Sequence, residues 1–126
     1  MGLSNNKLVL IYGFNEEEIV NIGEVILANE IAKLKVIDSD MTTMKIGNII
    51  EGLKIPTVNK KVSDQKVILF NNLEDEELKN SITTLKPIAK TDTIFAVVTE
   101  TSIEWEFQEL LEHLIEERKW VTKRKK

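Results

Sequence analysis

Displacing the chain along itself by 59 residues lays Lys7-Leu8-Val9-Leu10-Ile11 on Lys66-Val67-Ile68-Leu69-Phe70. The same displacement lays Gly13-Phe14 on Asn72-Leu73, Glu17-Glu18 on Glu76-Glu77, and Ile19 on Leu78. With a further slip of two residues, Val36-Ile37 meets Val97-Val98, Met44 meets Trp105, and Ile46 meets Phe107. Ile49-Ile50-Glu51 then meets Leu110-Leu111-Glu112, and Leu53 meets Leu114. Similar elements alternate in many α/β chains. Here a turn, an acidic helix start and a helix stripe come into register together, which points to duplication. The expected unit is strand–helix–strand–helix, present as residues 7–53 and 66–114 of a single domain spanning 1–126.

Each element has a local reason. Residues 7–12 are a continuous apolar run, as in a strand covered on both faces. Asn15 is an N-cap for Glu16-Glu17-Glu18, three acids suited to the positive end of a helix dipole. That helix is expected to reach Asn29 and bury Ile19, Ile22 and Ile26, with Ala28 or Leu27 as further inward positions. Gly23 lies on the buried face, where Gly costs about 1 kcal/mol against Ala, so a close approach to the sheet is expected there. Residues 33–38 make a second strand and residues 44–51 a short helix stopped by Gly52. Residues 53–65, with Pro56 and scattered lysines, read as the connection.

The plan then restarts. A strand at 66–70 precedes a helix that opens on Glu74-Asp75-Glu76-Glu77, buries Leu78, Ile82 and Leu85, and stops before Pro87. A strand at 93–98 leads to a last helix. Thr101 or Ser102 is its expected cap and Trp105 falls in its first turn. Ile103, Phe107, Leu110, Leu111 and Leu114 form its stripe as far as Arg118. Strand–helix–strand units favour parallel pairing with right-handed crossovers. The expected fold is α/β, with one four-stranded sheet, mixed or parallel, covered by helices.

Three pieces of the second half carry a family resemblance. These are Lys66-Val-Ile-Leu-Phe-Asn-Asn-Leu followed by Glu74 to Glu77 and Leu78; Ala96-Val97-Val98-Thr99-Glu100-Thr101; and Trp105 followed by Glu109-Leu110-Leu111-Glu112-His113-Leu114. Over residues 66–117 the chain resembles the bacterial DUF3783 family, a domain of unknown function. Asn72 stands where that family usually has Gly, and Ser102 where it usually has Asn. The resemblance implies a small bacterial α/β protein and implies no activity.

Composition removes several chemistries. The 126 residues contain no Cys, so disulfides, thiolate metal sites and cysteine nucleophiles are excluded. His113 is the single histidine, too few for an imidazole metal cage. Neither a metal nor a cofactor is expected, and no catalytic residue is assigned. No apolar run approaches the ~20 residues of a membrane span. Residues 1–6 lack the regions of a signal peptide, so cytoplasmic residence is expected. The net charge of −4 divides unevenly: residues 118–126 hold six of the 17 Lys and Arg and none of the 21 acids. An acidic body repels a phosphate backbone, so a nucleic-acid role would rest on this basic tail alone.

The candidate ligand groups are Thr99, Thr101 and Ser102, together with Asp38 and Asp40. Both sets sit where a strand end meets a helix start, a place that suits small anions. Paired acids such as Asp38 and Asp40 also suit Mg²⁺. Capping and turn formation is the favoured reading for both sets. Trp105 reads as a packing anchor, with partner contact as the other reading. Trp120, amid basic residues past the expected helix end, is a second candidate partner contact. The function expected is a non-enzymatic protein-interaction or regulatory module. The alternative is a small-ligand domain, for an anion or nucleotide, using the turns at 38–43 and 99–102.

Overall fold

The structure is a computed structural model that describes residues 7–29, 32–38, 41–52, 65–89 and 92–124, with side chains described as far as Arg118. The apolar runs form the strands Leu8–Tyr12 (β1), Lys33–Ile37 (β2), Val67–Asn71 (β3) and Ile94–Val97 (β4). They make one four-stranded sheet in the order β2-β1-β3-β4. β1 pairs parallel with β2, and β3 parallel with β4. β1 and β3 pair antiparallel, with Leu10 opposite Leu69 at the middle of the register. The sheet is therefore mixed, and the two halves meet through their first strands. These two central strands are covered on both faces, which is why they alternate least: every residue of β3 is buried.

Helices Glu16–Ala28 (α1) and Asp75–Leu85 (α3) cover one face. Their core holds Val9, Ile11, Ile22, Ile26, Ile68, Phe70 and Leu85. Helices Ile46–Ile50 (α2) and Phe107–Arg124 (α4) cover the other, over Leu10, Tyr12, Val67 and Leu69. Asn15 caps α1 as expected, in a reciprocal box with Glu18. Two expectations for α1 fail. Leu27 is 80% exposed and Ala28 is exposed, because the buried stripe ends at Ile26. A Cβ on Gly23 would meet only the Leu34 side chain at 3.5 Å, an ordinary contact, so no close approach requires the glycine.

Contacts between the halves come in matched pairs. Lys66 Nζ bonds the Glu18 carboxylate at 2.6 Å, and Lys7 Nζ bonds the Glu77 carboxylate at 2.8 Å. The Ile46 N–H donates to the Trp105 carbonyl, and the Phe107 N–H to the Met44 carbonyl, both at 2.9 Å. These two bonds form an isolated antiparallel bridge between Lys45 and Glu106. The turn after β1 has Gly13 at φ 90°, and the turn after β3 has Asn72 at φ 65°. Lysine and carboxylate stabilise each other's charge at Lys7 and Glu77. The hydrogen bond raises the Lys7 pKa, and it lowers that of Glu77 together with a bond from the Glu74 N–H.

The start of α4 differs from expectation. Residues Ser102–Glu104 form a separate 3-10 turn, and Trp105 returns to extended backbone at φ −85°, ψ 153°. The helix begins only at Phe107, after Glu106 has joined the bridge to Lys45. Trp105 is therefore not in the helix, and Thr101 and Ser102 do not cap it. α4 also runs past Arg118 to Arg124, which places the backbone of Trp120 inside the helix.

Candidate functional site

The turn after β4 is built from hydroxyls. The Thr99 N–H donates to Ser102 Oγ at 2.9 Å, and Thr99 Oγ1 donates to the same oxygen at 3.1 Å. The Ser102 N–H donates in return to Thr99 Oγ1 at 3.0 Å. The Ile103 N–H then takes the Thr99 carbonyl at 3.0 Å. Ser102 is 5% exposed, whereas Thr99 and Thr101 are exposed. Two of the three candidate hydroxyls are thus engaged with each other and with the turn's own backbone. Thr101 remains at the surface beside them.

The turn after β2 has the same geometry with a different atom at its centre. The Asp38 N–H points at Met41 Sδ, 3.4 Å away, and the Met41 N–H donates to the Asp38 carbonyl at 2.9 Å. Met41 lies three residues past Asp38, as Ser102 lies three past Thr99. A thioether is a weak acceptor and offers nothing to an anion. The shared feature of the two turns is therefore closure of the backbone. Asp38 is exposed, and Asp40 lies outside the described residues.

The two turns are not brought together. β2 and β4 are opposite edges of the sheet. Because β1 and β3 run antiparallel, the ends of β2 and β4 also lie at opposite ends of the sheet. Asp38 and Thr99 therefore sit diagonally across the molecule. Among the described residues, no group of three or more His, Asp or Glu side chains is placed to hold a metal.

Trp105 packs, partly buried, against the core on the α2/α4 face. Its ring lies over His113 of α4, with centroids 4.7 Å apart at 33°. One face of the indole thus rests on the core while the imidazole covers part of the rest. The side chain of Trp120 lies outside the described residues.

The sequence argument missed the bridge at Lys45 and Glu106. Its signal was present: Met44/Trp105 and Ile46/Phe107 flank these two residues in the repeat alignment. The argument also missed the contrast between the two sheet edges. In β2, Lys33 and Lys35 stand where β4 has Ile94 and Ala96.

Residues 66–121 match the model of DUF3783, a domain of unknown function. The match covers β3, α3, β4 and most of α4, the second half of the sheet and its helices. Neither a curated protein nor a solved structure matches the chain. No helix among the described residues is long and apolar enough to cross a membrane.

Proposed function

We propose that the protein is a non-enzymatic interaction or regulatory module of the bacterial cytoplasm, built from two copies of one strand–helix–strand–helix unit. The observation that carries the non-enzymatic reading is the pair of strand-end turns. The Thr99 and Ser102 hydroxyls close their own turn, and at the corresponding place a thioether serves the same purpose. Groups engaged in this way hold the backbone and do not await a ligand. The two-copy reading is supported by the matched contacts. An isologous association makes every contact twice, residue i with j and j with i. Lys7–Glu77 with Lys66–Glu18, and Ile46–Trp105 with Phe107–Met44, follow that rule within one chain.

The test is a thermal-shift screen against nucleotides, phosphorylated metabolites, amino acids and divalent metals. A ligand at about 100 times its Kd adds roughly 2.7 kcal/mol, several degrees for a domain of this size. The expected outcome is no shift from any class. A shift lost in Thr101→Ala, whose hydroxyl is at the surface, would overturn the reading and establish a ligand site at this turn.

A further inference from the structure

The two edges of the sheet are opposites in chemistry. Exposed edge strands invite pairing with another chain, and lysines on the edge are a common defence. β2 reads Lys33-Leu34-Lys35-Val36-Ile37 and has that defence. β4 reads Ile94-Phe95-Ala96-Val97, with no charge anywhere in it and with Val97 43% exposed. The Ile94 and Val98 N–H groups bond inward to the Lys66 and Phe70 carbonyls, each at 2.9 Å. Strand alternation then turns the N–H and C=O of Phe95 and Val97 away from β3.

We propose that β4 is an interaction edge whose partner is the β4 of a second copy of this chain, paired antiparallel to make one continuous eight-stranded sheet. Phe95 of each copy would exchange both backbone hydrogen bonds with Val97 of the other, and the two Ala96 residues would face each other on the two-fold axis. Ala–Ala is a pair that lets such strands approach to the short spacing of a non-hydrogen-bonded position. The same mode of joining already holds the molecule together at its centre, where β1 and β3 pair antiparallel.

Charge favours a second copy as the occupant. Arg118 donates to the Asp92 carbonyl, so the end of α4 lies beside the start of β4. Beyond it the helix carries Lys119, Lys123 and Arg124. The exposed Glu100 and Glu104 stand past the other end of β4. Antiparallel pairing sets the basic end of each copy against the acidic turn of the other, twice over. At the β2 edge, a second copy would instead oppose lysine to lysine.

This inference gives a partner to the interaction reading, and its test is separate from the ligand screen. Sedimentation equilibrium of the full chain, from micromolar to millimolar concentration, should give twice the 14.4 kDa mass. Val97→Lys should shift the protein to monomer with an unchanged circular dichroism spectrum. Ala96→Lys and Ala96→Glu should each be monomeric alone and should form a heterodimer when mixed, because only the antiparallel register places them face to face. Raised salt should weaken the wild-type dimer. A wild-type monomer at every concentration would overturn the proposal, as would a dimer untouched by Val97→Lys. Either result would leave the ligand screen free to decide the broader reading. If Ala96→Lys fails to fold, Val97→Lys, at an exposed position, still decides.

Discussion

Gly13 and Asn72 occupy corresponding turns in the two halves, and both backbones are left-handed there, at φ 90° and 65°. Met41 and Ser102 likewise occupy corresponding turns, one accepting through sulfur and the other through a hydroxyl. The halves reach the same geometry with different side chains. They differ where geometry makes no demand. α2 has five residues and α4 has 18, and one outer strand carries lysines where the other carries Ile and Ala. Positions facing the other half are thus tightly constrained. Positions facing outward are where one half can acquire a role that the other lacks.

The largest effect is expected where that constraint is tightest. Ile46 and Phe107 are both fully buried, on either side of the Lys45–Glu106 bridge, and Phe107 packs on Tyr12 with ring centroids 5.0 Å apart. Phe107→Ala should cost about 3–5 kcal/mol and Ile46→Ala about 2–5 kcal/mol, measured by urea unfolding. Equivalent halves require both losses to be large. An Ile46→Ala protein as stable as wild type would break the comparison at its centre.

The turns should respond next, and in opposite directions. An added Cβ on Gly13 would lie 2.8 Å from the Gln65 carbonyl oxygen, a backbone atom that cannot swing aside, and φ is positive as well. Gly13→Ala should cost at least about 2 kcal/mol, since the left-handed backbone alone costs 1–2. Asn72→Gly should change stability by no more than about 0.5 kcal/mol, because the relief of left-handed strain offsets the greater freedom of unfolded Gly. Thermal unfolding of the two variants checks both. A mild Gly13→Ala would mean that β3 can shift its entry, and that the two turns are less alike than their φ angles.

Much of the fold was legible because its signals are local. Apolar runs marked the strands, Asn15 and the acids marked α1, and the displacement of 59 residues put corresponding turns in register before their φ angles were known. The direction of β1 against β3 was not legible. Both orientations bury the same apolar residues, and the choice depends on where the helices on each face can meet. The start of α4 was misread for a related reason. Thr101 and Ser102 have the chemistry of a helix cap, but the Phe107 N–H is committed to the Met44 carbonyl, more than 60 residues away in sequence. That contact holds Trp105 and Glu106 extended and delays the helix. The candidate site suffered most. The residues around Thr99 and Asp38 were found, but their separation across the sheet follows from strand direction alone.

The smallest effect should separate the two ion pairs. Lys7 and Glu77 have side chains 44% and 38% exposed, against 21% and 18% for Lys66 and Glu18. The lowered Glu77 pKa contributes stability that is present above the ordinary carboxylate value and lost as pH falls through the folded value. The raised Lys7 pKa contributes stability present below the ordinary lysine value and lost as pH rises through the folded value. Lys7→Met should therefore destabilise slightly at neutral pH and not at all in acid, and molar salt should erase the difference. Lys66→Met should cost more, about 1 kcal/mol, and keep most of that cost in salt, because water and ions reach the Lys66–Glu18 pair less. Urea unfolding of both variants at two salt concentrations makes the comparison. Equal salt sensitivity would mean that the difference in exposure has no energetic weight. The two halves would then be matched in strength as well as in contact, a closer likeness than their sequences suggest.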